Sequence, residues 1–183
     1  PRQVAIGFAG AVSAAPPTAS MLADTCAGCH GPDGSSVGPA IPSIAGMSAE
    51  YFNTTMAEYK TGERYSTIMT RIAKGYTDEE IALMADFFAG KEFVRFAQDV
   101  DATKVKAGEK LYGKSCEKCH EDNGASPGDD AGILAGQWLP YLNYTMADFT
   151  SDRREMPKKM KKKVEKLSAE DIEALMHFFA SQQ

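Results

Sequence analysis

Apolar positions along this chain recur at helical rather than strand spacing. Ile81, Met84, Phe87 and Phe88 share one face of a helix that opens at Thr77-Asp78-Glu79-Glu80, a capping-box signature. Ser168-Ala169-Glu170-Asp171, a weaker relative of that signature, opens a matching helix near the end. Further helices are predicted over 19–26 and 103–116, and from about Ser48 and Leu139 onward. A Gly/Pro/Ser-rich loop is expected over 31–46 and a Gly/Asp-rich one over 122–136. No stretch alternates as a strand would, so the expected fold class is all-α.

The elements come twice. Cys26-Ala27-Gly28-Cys29-His30 precedes Cys116-Glu117-Lys118-Cys119-His120 by 90 positions. The same offset pairs Ala45-Gly46 with Ala135-Gly136, and Thr55-Met56-Ala57 with Thr145-Met146-Ala147. After one inserted residue, Met84-Ala85-Asp86-Phe87-Phe88-Ala89 corresponds to the segment ending His177-Phe178-Phe179-Ala180. So many matches mark an internal duplication. The expected division is 1–18 as a signal-like or N-terminal extension, 19–95 as a first domain and 96–183 as a second, with 90–100 joining them. The run from Val4 to Val12 followed by Ser13-Ala14-Ala15 reads as the latter part of a secretory signal from a longer precursor.

With 183 residues, 43% hydrophobic and 25% charged, the composition is that of a globular protein, and no stretch is apolar enough to span a bilayer. A net charge of −5 gives no support for nucleic-acid binding. Units of about eighty residues with long loops have marginal cores unless something else fills them.

All four cysteines sit in the two motifs. A disulfide framework or a four-cysteine zinc site leaves His30 and His120 unexplained, and a thioredoxin-like pair lacks its βαβ context. Cys-x-x-Cys-His is the signature of covalent haem attachment. Cys26, Cys29, Cys116 and Cys119 are therefore expected to bind two haem c groups, with His30 and His120 as proximal iron ligands.

A sixth ligand has to come from later in each unit. His177 pairs with Asp86 in the repeat, so it is not a repeated ligand and is expected on a solvated helix edge. Met69 and Met160 each lie eight residues before the start of a closing helix, which singles them out as axial thioethers. Met56 and Met146 also obey the repeat, although core packing explains them; Met156 has no partner. Iron with both axial positions filled has no site for substrate, which points to electron transfer.

These motifs resemble tandem class I cytochrome c domains. In particular they resemble the dihaem cytochrome subunits of flavocytochrome c sulfide dehydrogenases. The segments that carry the likeness are Cys26–Gly31, Ser66-Thr67-Ile68-Met69, Arg71–Tyr76, Cys116–His120, Ile133–Trp138 and Ala180-Ser181-Gln182-Gln183. The resemblance implies an exported, periplasmic heterodimer. Its flavoprotein partner would carry FAD and oxidise sulfide, and this chain would pass the electrons through two haems to a soluble acceptor such as a small cytochrome. It also implies that the Gly38-Pro39 carbonyl supports the proximal histidine of the first unit, whereas the second has Asp129 in place of Pro39.

Several readings stay open at this level. Lys158, Lys159, Lys161, Lys162, Lys163 and Lys166 form either a solvated helix face or a surface that steers an acidic redox partner. Trp138 is either core or part of an electron route. A free-standing dihaem shuttle to a terminal oxidase and a dihaem peroxidase are the rival functions.

Overall fold

Side-chain caps explain where half of the α-helices begin. The computed structural model describes residues 15–183, so the signal-like segment lies almost wholly outside the described residues. In the first unit Thr18 caps α1 (Ala19–Ala23), and a 3-10 turn (Asp24–Cys26) then runs into α2 (Ala27–His30). Ser48 caps α3 (Ala49–Thr61), α4 (Met69–Ala73) follows, and Thr77 with Glu80 forms a complete capping box on α5 (Asp78–Ala89). In the second unit Asp101 caps α6 (Ala102–Ser115), and an irregular turn, α7 (Glu121–Gly124), follows the haem motif. Then come α8 (Leu139–Thr150), α9 (Lys158–Val164) and α10 (Ala169–Ser181), the last with a complete Ser168–Asp171 box. The expected 19–26 helix is thus broken by a 3-10 turn, α4 was not anticipated as a helix, and α9 falls on the lysine run.

Each unit closes by crossing its first and last helices: α1 on α5 in the first, α6 on α10 in the second. Gly108 makes the second crossing possible, because a Cβ there would overlap the Ala174 carbonyl and press on Phe178. The first core gathers Leu22, Phe52, Met56, Ile81, Met84 and Phe88; the second gathers Tyr112, Leu142, Leu175, Met176, Phe178 and Phe179. Among the described residues the β pairing recorded is one isolated antiparallel bridge, Arg64 with Arg154.

That bridge joins two residues related by the 90-residue offset, so it sits on an approximate twofold axis between the units. The rest of the interface obeys the same symmetry. Ser43 N–H donates to Gln137 Oε1 at 3.0 Å, and Ile133 N–H donates to Met47 Sδ at 3.2 Å. Ser43 corresponds to Ile133 and Met47 to Gln137. Gln137 does more than its counterpart, since its Nε2 also donates to Ser43 O at 2.8 Å. Trp138 lies in the same interface: its Nε1 donates to Ser36 O at 2.8 Å and its ring stacks on Phe96 of the connecting segment. Gln98 then ties that segment to the second unit, with Nε2 donating to Gln137 O and Ala180 O while Oε1 accepts from Leu139 N–H.

Candidate metal centres

The first motif lies on nearly continuous helix, which turns Cys26 and Cys29 toward one side. All four cysteines are free thiols, Cys26 and Cys116 half-buried, Cys29 and Cys119 exposed. Burial pushes the Cys26 thiol up. The Thr25 hydroxyl donates to Leu22 O at 2.6 Å; its only proton being so used, Tyr76 O–H is the donor in their 2.6 Å contact. That ties the motif helix to the turn beyond α4.

His30 ends α2 and is 8% exposed. Gly31 follows at φ 82°, where a Cβ would overlap the Ser35 carbonyl, so only glycine turns the chain here. The His30 Nδ1 lies 2.8 Å from Pro42 O. A carbonyl only accepts, so Nδ1 carries the proton and Nε2 keeps its lone pair. Burial lowers the His30 pKa, which also favours the neutral ring. The supporting carbonyl is therefore that of Pro42, not of Gly38-Pro39 as the family resemblance suggested. The Gly38 carbonyl is already taken by Ile41 N–H and the Ser36 hydroxyl.

Met69 is the first residue of α4 and packs against the first core alongside Cys26. Met56, by contrast, is 5% exposed inside that core, the packing role expected of it.

The second motif is held differently. Cys116 caps α6, and Tyr112 O–H donates to His120 O at 2.7 Å while accepting from Asn123 N–H at 2.9 Å. Tyr112 replaces Leu22 of the first unit, so a phenol now pins the chain that leaves the motif, where Asp122 and Asn123 adopt left-handed conformations. Half-buried His120 sets its edge against the Phe179 ring at 6.2 Å. Its pKa is lowered by burial, with Asp130 pulling it upward.

Met160, half-buried on α9, belongs to the helix that also carries Lys163. Burial raises the Cys116 pKa while the Lys163 charge lowers it. Met146 packs with Cys116 against the second core. His177 is half-buried at the helix edge, where its Nδ1 accepts from Asp101 N–H at 3.1 Å in an exposed contact that joins α10 to the start of α6.

The donor set fits haem better than zinc. Among the described residues no three His, Cys, Asp or Glu side chains converge as a metal-ion site requires. What the first unit does offer is a pair of free thiols and an imidazole with a bare Nε2 beside an apolar core. Haem also brings carboxylates, and the unit interface supplies cations and phenols for them. Arg64, 6% exposed, donates to Thr55 Oγ1 and Tyr51 Oη, and its nearest carboxylate, Glu58, is 3.7 Å away. Its guanidinium lies over Tyr59, which packs on the same core as Cys26 and Met69.

Known proteins place this geometry in a family. Residues 18–90 match the family model described as Cytochrome c, and 103–179 match that of cytochrome C oxidase, cbb3-type, subunit III. The chain is 54% identical over 68 residues to the cytochrome subunit of sulfide dehydrogenase from Chlorobaculum tepidum; this covers 37% of the chain and 61% of that relative. Cytochrome c4 of Pseudomonas aeruginosa is 31% identical over 189 residues, covering 94% of this chain and 92% of that one. Among solved structures, reduced recombinant cytochrome c4 from Pseudomonas stutzeri superposes with a TM-score of 0.79 at 26% identity, over 90% of this chain and 97% of that one.

Two helical units, each with its own Cys-x-x-Cys-His motif, thus make a dihaem class I cytochrome c that carries two covalently bound haem c groups. Within that class the chain belongs to the cytochrome c4 family, whose likeness runs across both units.

Proposed function

We propose that this chain is the electron-transfer subunit of a sulfide-oxidising complex, with 19–95 and 96–183 each wrapped around one haem. Cys26, Cys29, Cys116 and Cys119 form the thioether links, His30 with Met69 ligates one iron, and His120 with Met160 ligates the other. When bound, the haems supply one-electron chemistry. The chain's own residues position and insulate them. The observation that carries the relay reading is the His30–Pro42 hydrogen bond, which leaves the ring nitrogen Nε2 free for metal in a buried site. A thioether on the opposite side would saturate the iron, so the chain would carry electrons and catalyse nothing by itself.

The partner in this reading is an FAD-containing flavoprotein that oxidises sulfide. Supporting it is the 54% identity over 68 residues to a sulfide dehydrogenase cytochrome subunit. The electrons would go on to a soluble acceptor such as a small cytochrome, in the periplasm of the cell. Among the described residues no helix is long and apolar enough to cross a membrane. The test is purification of the native protein. A co-purifying flavin chain, with sulfide reducing the haems only when it is present, is the expected result. Haems that are reduced without any flavin chain overturn the assignment.

A second reading is a free-standing dihaem shuttle. It is favoured by the end-to-end likeness to cytochrome c4, where the sulfide dehydrogenase match covers only part of the chain.

A further inference from the structure

Among the described residues, the two arginines that meet on the approximate dyad have no carboxylate at hydrogen-bond distance. Arg64 N–H donates to Glu58 O and Arg154 N–H to Asp148 O, so the same turn brings each chain to the bridge. Each guanidinium then lies over an aromatic ring at corresponding positions, 5.2 Å from the centre of Tyr59 and 4.2 Å from that of Phe149. The neighbouring carboxylates are out of reach or engaged. Glu58 Oε2 stays 3.7 Å from Arg64, and Asp148 pairs at 2.9 Å with Arg153 instead of Arg154.

Arg64 is the more deeply placed of the two, 6% exposed against half-buried Arg154. Its recorded side-chain hydrogen bonds go to Thr55 Oγ1 at 2.9 Å and Tyr51 Oη at 3.4 Å, which leaves most of the guanidinium N–H donors unused. Tyr51 adds a further donor: its oxygen accepts from Arg64, and among the described residues no acceptor is recorded for its own proton. Burial pushes the Tyr51 hydroxyl up, but the neighbouring arginines more than offset this and hold it below the usual phenol value, so that proton is readily donated. The same ring reaches the other unit, since a Cβ on Gly132 would come within 2.8 Å of it. A buried cation with spare donors costs folding free energy unless an anion meets it. The forked guanidinium suits a carboxylate.

Haem c carries propionate carboxylates, and both haem units close on this seam. We propose that Arg64, Tyr51 and Arg154 form one carboxylate-binding site that the two haems share, with Arg64 as its anchoring cation. The site raises the potential of both irons: ferric haem carries one more positive charge than ferrous, so a buried guanidinium disfavours it. Arg64 is thus a positioning residue that acts on the iron through a carboxylate. This rests on the two haem c groups and is independent of which proteins deliver and remove the electrons.

The test is a spectroelectrochemical titration of the holoprotein, resolved into two one-electron steps. Arg64→Gln is expected to favour the ferric form of both haems about tenfold, a fall of ~59 mV in each midpoint. Arg64→Lys keeps the charge and is expected to stay within about threefold of the parent at both. Tyr51→Phe keeps the ring and removes the spare donor. It is expected to favour ferric about threefold at both haems, and it decides the matter should Arg64→Gln fail to take up haem. Gln137→Met loosens the same seam without changing its charge, so both midpoints should stay within about twofold of the parent. A shift confined to one haem, no shift with either Arg64→Gln or Tyr51→Phe, or an equal fall with Gln137→Met overturns the proposal.

Discussion

Replacing Gln137 tests the unit interface most directly. Its side chain is 1% exposed and serves both backbone groups of Ser43, itself 2% exposed. Gln137→Ala orphans a buried N–H and a buried C=O. Each unsatisfied group costs about 1–3 kcal/mol, so the loss should be about 2–6 kcal/mol, with any water admitted to the gap moving it to the lower end. Gln137→Met installs the residue found at the corresponding place in the first unit. Its sulfur can accept from Ser43 N–H as Met47 does from Ile133 N–H at 3.2 Å, but it cannot donate to Ser43 O. One orphan remains, and the cost should fall to about 1–3 kcal/mol. Urea denaturation of the oxidised holoprotein, followed by far-ultraviolet circular dichroism, measures both. A transition that is single in the parent should split in the Ala variant as the units uncouple. Both variants within about 0.5 kcal/mol of the parent, or Met as costly as Ala, would refute the reasoning.

Other expectations follow from single contacts. Met69→Ala and Met160→Ala should each convert one haem, and only one, from low-spin to high-spin, read by electron paramagnetic resonance; both haems unchanged would remove these residues as ligands. Gly108→Ala should cost about 1–3 kcal/mol, since a methyl there meets the Ala174 carbonyl, while Gly113→Ala on the same helix, with open space around it, should not destabilise. Asp101 accepts from the N–H groups of Thr103 and Lys104, and these bonds hold its carboxyl below the usual aspartate value. A depressed folded-state value means stability that is present above the ordinary value near 4 and lost as pH falls through the folded one. Asp101→Asn, which keeps a capping oxygen, should flatten that acid limb in thermal melts taken between about pH 5 and pH 2.5; an unchanged limb would exclude Asp101 as its source.

The parts of this molecule that were legible in the sequence are those written locally. Capping residues, helical spacing and Cys-x-x-Cys-His each specify their outcome within a few positions, and the repeat multiplied their force. What escaped depends on where loops travel. The choice of Pro42 over Gly38 as the His30 partner turns on which carbonyl the 31–46 loop leaves unengaged, and spacing does not encode that. The Ser43–Gln137 pair spans 94 positions. Trp138 and His177 each make a tie that spacing does not encode: one hydrogen-bonds across the interface and the other joins two helices.

The approximate dyad through Arg64 and Arg154 relates two surfaces that need not stay alike. A pair of identical chains meeting about such an axis must use every contact residue twice, so any change made for one side is imposed on the other. Joining the copies head to tail lifts that constraint. Gln137 and Met47 occupy corresponding places and have already diverged, one both donating and accepting, the other accepting alone. Within one chain the two edges of the seam can be edited independently, and the two redox centres are free to become unlike.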